Sequence, residues 1–66
     1  MSYNDFVNEV KNILADKYGY DADKSAKVLK DADSVKVLRN NYNAYNEKKY
    51  AGSNPLATAS CIDMMN

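Results

Sequence analysis

Apolar side chains at Tyr3, Phe6, Val7, Val10, Ile13, Leu14 and Tyr18 recur at steps of three and four along the start of the chain. That spacing marks one face of an α-helix and does not fit the alternation of a strand. Asn4, Asp5, Asn8, Glu9, Lys11, Asn12 and Asp16 fill the positions between them. The chain therefore opens on an amphipathic helix whose apolar stripe has to be covered. Ser2 can cap its first turn, and Asp5 three residues later approximates a capping box. Lys17 suits the last turn, where the helix dipole favours a cation, and Gly19 is a left-handed stop.

Asp21 is placed to cap a second helix, with Asp23 in its first turn. Ala22, Ala26 and Leu29 form the expected face, with Val28 at its edge. Asp31, Asp33 and Ser34 compete with the helix for backbone donors and predict a break near residues 31–33. Apolar positions 28, 32, 35, 38, 42 and 45 nevertheless stay in helical phase, and no glycine or proline interrupts them. One long helix from 21 to about 50 is the alternative. Val35, Leu38, Tyr42 and Tyr45 share the next predicted face, which Gly52 ends. Asn54-Pro55 then signals a new start, since asparagine caps and proline fits the first helical position. Leu56, Ala59, Ile62 and Met65 are expected to face inward from this last helix.

The pattern predicts a single all-α domain over residues 1–66, a small bundle of three to four short helices at about 2–18, 21–31, 33–51 and 55–64. The expected core is Phe6, Val10, Ile13, Leu14, Leu29, Val35, Leu38 and Ile62. The first helix should lie across the Ala22/Leu29 and Val35/Leu38/Tyr42 faces, with the Pro55 helix closing the end.

Size sharpens this picture. A chain of 66 residues buries only ~60% of the surface that it exposes when unfolded. Cys61 is the one cysteine and histidine is absent, so neither an internal disulfide nor a Cys/His zinc site can staple it. Helix packing, self-association or a partner must supply the stability. Leftover apolar residues such as Tyr3, Val7, Val37, Met64 and Met65 are candidates for contact with a second chain. Without histidine the usual general base is missing, and the aspartate pairs 21/23 and 31/33 do not share a helix face. The expectation is a protein without catalytic residues, metal or cofactor, with Cys61 a buried or half-buried structural thiol. No run of residues approaches the ~20 apolar positions of a membrane span. The start lacks the continuous apolar core of a signal peptide, and a lone thiol suits a reducing compartment, so the expected location is the cytoplasm.

Nine basic and nine acidic side chains give a formal charge of zero, which argues against a globally basic nucleic-acid binder. The balance is uneven: residues 1–23 sum to −3, residues 24–49 to +4 and the tail to −1. Lys24, Lys27, Lys30, Lys36 and Arg39 could form a basic ridge through the middle of the chain. Beside Asn40, Asn41 and Asn43, that ridge loosely matches the polar face of a DNA-reading helix. Asp31 and Asp33 would oppose phosphates there. Six of the seven aromatics are tyrosines, a residue that packs its ring and wets its hydroxyl. Tyr42 and Tyr45 either complete the core or form a binding patch, while Tyr20 and Tyr50, beside glycines at helix ends, are expected to be partly exposed. The candidate interaction surface is Tyr20, Lys24, Lys27, Lys30, Lys36, Arg39, Tyr45 and Tyr50.

Tyr18-Gly19-Tyr20, the run from Ala22 to Leu29, Tyr42, and the stretch from Gly52 to Ala59 together resemble the layout of short helical accessory proteins of tailed phages and prophages. The resemblance implies a small protein that binds and modulates a larger host or viral assembly, within the host cytoplasm. It carries over no functional residues. The expected function is a non-enzymatic protein-binding module acting on a host or viral protein partner, or as a homo-oligomer. The alternatives are a small helix-turn-helix-like DNA-binding regulator using the Lys24–Arg39 ridge, and a structural virion component.

Overall fold

Local signals at three of the helix starts decide where the chain turns. In a computed structural model, which describes residues 1–47 and 53–66, four helices follow in order: α1 Tyr3–Tyr18, α2 Ala22–Ser34, α3 Val37–Asn46 and α4 Pro55–Met65. Ser2 Oγ accepts the Asp5 N–H at 3.1 Å, Asp21 Oδ1 accepts the Lys24 N–H at 2.7 Å, and Asn54 Oδ1 accepts the Ala57 N–H at 2.8 Å. Each satisfies a donor that the first helical turn leaves open. Gly19 stops α1 at φ 72°, a left-handed conformation that glycine adopts without a Cβ penalty. The all-α bundle and these four signals stand as the sequence predicts. Lys48, Lys49, Tyr50, Ala51 and Gly52, and with them the expected Gly52 stop and the end of the predicted 33–51 helix, lie outside the described residues.

The break between α2 and α3 forms, but later than residues 31–33. Asp31 and Asp33 remain on the exposed side of α2, while Ala32 is buried. Ending the helix before Ala32 would leave that core position unfilled, so the turn comes after it. Ser34 Oγ donates to the Lys30 carbonyl at 3.2 Å, and the Lys36 N–H reaches the Asp33 carbonyl at 2.9 Å. Lys36 then takes φ 62°, the one positive φ on a non-glycine residue among those described. This corner turns Val35 out of the face it was expected to share with Leu38: Val35 is 60% exposed and Leu38 is buried. A left-handed residue with a Cβ costs roughly 1–2 kcal/mol, part of which glycine would lose again through its freer unfolded chain. Lys36→Gly is therefore expected to raise stability by about 0.5–1 kcal/mol, read as a higher urea midpoint at unchanged slope.

The core draws on all four helices: Phe6, Val10 and Leu14 from α1, Val28, Leu29 and Ala32 from α2, Leu38 from α3, and Ala59 and Ile62 from α4, with Tyr20 from the α1–α2 turn. Ile13 is half-buried at its edge. Tyr3, Val7 and Val37 pack against this cluster, so they are not spare surface. α2 buries Ser25, Val28, Leu29 and Ala32, whereas Ala22 and Ala26, expected on its inner face, are exposed. The inner face is set by the larger Val28 and Leu29, and Ser25 falls on their arc. Its hydroxyl, in a residue 1% exposed, has no hydrogen-bond partner. Ser25→Ala removes an unpaired buried hydroxyl and improves helix propensity, so it should stabilise by about 0.5–1.5 kcal/mol. A thermal midpoint that falls would contradict that assignment.

α1 makes its most extensive contact with α4, rather than with α2 and α3 as expected. Pro55, Thr58, Ala59 and Ile62 form the buried face of α4. Leu56 and Met65, predicted to point inward, are 48% and 54% exposed. Thr58 enters the interior because its polar atoms are satisfied there. Its hydroxyl donates to the Ser53 carbonyl at 3.1 Å and accepts from Asn41 Nδ2 at 3.1 Å. That relay ties α3 to the start of α4.

Candidate interaction surface

The sequence-predicted surface does not form one patch. Lys24, Lys27, Lys30, Lys36 and Arg39 are exposed, as a ridge requires. On α2, however, Asp23, Asp31 and Asp33 flank the three lysines, so the helix carries no net charge. The two ends of the ridge are held by tyrosines. Lys24 Nζ lies 4.2 Å from the centre of the Tyr20 ring, and the Arg39 guanidinium lies 3.9 Å from that of Tyr3. Cations over aromatic faces are attracted by the ring quadrupole. Tyr50 lies outside the described residues.

Tyr20 corrects an expectation: it is 6% exposed, not an exposed residue at a helix end. The wrap at Gly19 carries it inward, with its N–H on the Leu14 carbonyl at 3.1 Å. Its hydroxyl donates to Asp63 Oδ1 at 2.8 Å, joining the α1–α2 turn to the end of α4. The bond to Asp63, followed by burial and the carboxylate's charge, holds the Tyr20 hydroxyl above its usual value of 10.0. Tyr3 is raised as well, first by burial, then by its 3.2 Å bond to Asp33 Oδ1 and that residue's charge, with Arg39 opposing. Both tyrosines therefore fasten helices together.

Tyr42 and Tyr45 are half-buried and flank Phe6. Tyr42 meets Tyr3 and Phe6 edge-on, with centroids 5.4 and 5.6 Å apart, and Tyr45 lies tilted 6.0 Å from Phe6. The Tyr42 hydroxyl donates to the Met1 carbonyl at 3.0 Å. Tyr45 keeps one side open. With Ile13, Pro55 and Leu56 it lines a wide cleft of about 390 Å³, rimmed by Glu9, Asn12 and Asn54.

A surface of which the sequence reading named only Met64 and Met65 lies on α4. α1 and α2 turn charged side chains to solvent, and α3 turns Arg39, Asn40, Asn43 and Asn46. α4 turns Leu56, Cys61, Met64 and Met65, with Ala57 and Ser60 half-buried between them. Asp63 is its sole charge, and that carboxylate is engaged by Tyr20. Met64 is 83% exposed. Cys61, expected to be buried, is exposed within this face. The face is continuous with the cleft through Leu56. A helix that is apolar all round belongs between other elements, so one with a solvent side is unusual.

Among the described residues, no three His, Cys, Asp or Glu side chains converge on a metal site, and no helix is long and apolar enough to cross a membrane. No protein-family model, curated protein or solved structure matches the chain.

Proposed function

We propose that this protein is a small non-enzymatic protein-binding module, whose contact surface is the outer face of α4 with the adjoining Tyr45/Leu56 cleft. The supporting observation is the uncharged face itself, with Leu56, Cys61, Met64 and Met65 open to solvent. Met side chains are flexible and polarisable and suit a surface that moulds to a partner. Tyr45, half-buried beside Leu56, adds an aromatic anchor of the kind enriched at binding hot spots. On its resemblance to phage and prophage accessory proteins, the proposed partner is a larger host or viral assembly, which the module would modulate by occupying a site.

The DNA-binding alternative draws on the exposed lysines of α2, but each phosphate contact there would have an aspartate nearby. Two variants separate the readings. Immobilised wild-type chain should retain its protein partner in moderate salt, Lys27→Glu should retain it too, and Met64→Lys should lose it. Binding to duplex DNA that falls steeply with salt, through counterion release, and disappears in Lys27→Glu would overturn this reading.

A further inference from the structure

We infer that the Tyr45/Leu56 cleft receives a large apolar side chain from a segment of a partner protein, and that basic residues flanking that side chain meet carboxylates of α1. This rests on the reading of the chain as a binding module and states the chemistry of its partner. The cleft supplies the apolar half. Ile13, Pro55, Leu56 and the ring of Tyr45 line a space of about 390 Å³. That is the low end of the ~300–1,000 Å³ of small-ligand sites. Its open side suits a side chain carried on a passing backbone. Asn12 and Asn54 stand at the rim, where their amides can bond that backbone. Asn54 spends its Oδ1 on capping α4 and keeps its Nδ2 donors for this.

Charge supplies the other half. Glu9 is the one charged residue that lines the cleft. Asp5, Glu9, Asn12 and Asp16 follow one another at steps of four, three and four, so they form one stripe along α1. All four are exposed. Neither cation of α1 interrupts the stripe. Lys11, two positions from Glu9, stands roughly 200° around the helix from it. Lys17 Nζ lies 5.8 Å from the centre of the Tyr18 ring. From α3 and α4 the cleft receives no charged side chain among the described residues.

Length then sets the form of the occupant. From Asp5 to Asp16 the stripe runs ~16 Å at ~1.5 Å per residue. An extended chain covers that in about five residues at ~3.3–3.6 Å each. The cleft opens at Glu9, Asn12 and Ile13, midway along the stripe. A segment with an apolar residue at its centre and basic residues on both sides therefore matches the cleft and the stripe together. An acidic segment meets like charge there, and an uncharged one leaves the carboxylates without a complement.

The test is fluorescence anisotropy of a labelled five-residue probe, a central leucine with two arginines on each side, titrated with the full chain. Salt is kept at ~0.05 M, where surface charges are weakly screened. Wild type should bind this probe, and Glu9→Lys should bind it at least tenfold more weakly. Asp31→Lys makes the same charge change at an exposed position of α2 and should stay within twofold of wild type. Both positions are exposed, so both variants keep the wild-type helical circular dichroism. A probe with serine for the leucine should bind at least fivefold more weakly, and one with glutamates for the arginines should not bind. No binding of the arginine probe at millimolar chain, equal losses in Glu9→Lys and Asp31→Lys, or equal binding of the leucine and serine probes each overturns the inference. If the arginine probe fails while Met64→Lys still abolishes capture of a protein partner, the binding-module reading survives and only the partner's chemistry fails.

Discussion

Phe6→Ala should leave the chain largely unfolded at room temperature. Phe6 is fully buried and faces both Tyr42 and Tyr45, with Val10 and Leu14 following it along α1. Removing a buried phenylalanine costs about 3–5 kcal/mol, through lost transfer energy and the cavity left behind. Native domains hold only about 0.05–0.15 kcal/mol per residue, so a chain of this length has roughly 3–10 kcal/mol to lose. The cost is a large share of the whole, and a chain with one cysteine has no internal disulfide to offset it. Far-ultraviolet circular dichroism should show a non-cooperative urea titration for the variant beside a sigmoidal one for wild type. Phe6→Leu, which keeps most of the volume, should remain cooperative. A cooperative Phe6→Ala transition within 1 kcal/mol of wild type would mean that Tyr42 and Tyr45 do not depend on Phe6 for their position.

The second expected effect is a loss of stability in alkali. The Tyr20 hydroxyl is held above 10.0 by its bond to Asp63, by burial and by the neighbouring negative charge. A neutral tyrosine is thus favoured by the folded state. Its contribution is complete below the unfolded value near 10 and is lost as pH rises through the raised folded value. Tyr3, raised by burial and by Asp33, loses its contribution in the same direction. Ionised Tyr20 would set a phenolate against the Asp63 carboxylate, separating the α1–α2 turn from α4. Wild type should therefore lose stability as pH climbs above 10. Tyr20→Phe should be less stable at neutral pH but show a shallower alkaline decline, and Asp63→Asn should also flatten it. Thermal midpoints measured between pH 8 and 12 check this. Equal slopes in all three chains would show that the Tyr20–Asp63 bond does not couple to folding.

The elements and their start signals are legible in the sequence because they depend on near neighbours. Ser2 with Asp5, Asp21 with Lys24, and Asn54 with Ala57 each close a contact over three residues. Gly19 likewise needs nothing beyond its own backbone freedom. Long-range choices were not legible. Tyr20 reads as a residue beside a turn until Asp63, 43 positions away, supplies its partner. Val35 keeps helical phase with Leu38 on paper, and only the corner at Lys36 separates them. α4 shows the limit most clearly. With apolar residues on every side, its sequence holds no polarity gradient to say which face is inner, so Leu56 and Met65 compete equally with Pro55 and Thr58. The Thr58 hydrogen bonds to Ser53 and Asn41 settle the rotation. The ambiguity that hides the inner face of α4 is also the property that leaves an apolar outer face.

The candidate site follows the same division. The exposed cations Lys24, Lys27, Lys30, Lys36 and Arg39 and the opposing Asp31 and Asp33 are legible from charge alone, but not the tyrosines beneath Lys24 and Arg39. Cys61 reads as a buried or half-buried thiol, but the roughly 100° between adjacent helical positions turns it to solvent while Ile62 faces the core.

The proposed contact surface is the outer face of α4. Amide chemical shifts of the labelled chain, followed as the captured protein partner is added, test it residue by residue. Changes should concentrate at Leu56, Ala57, Ser60, Cys61, Met64 and Met65, with smaller ones at Ile13 and Tyr45 around the cleft. Shifts that instead follow the Lys24–Arg39 ridge would contradict it.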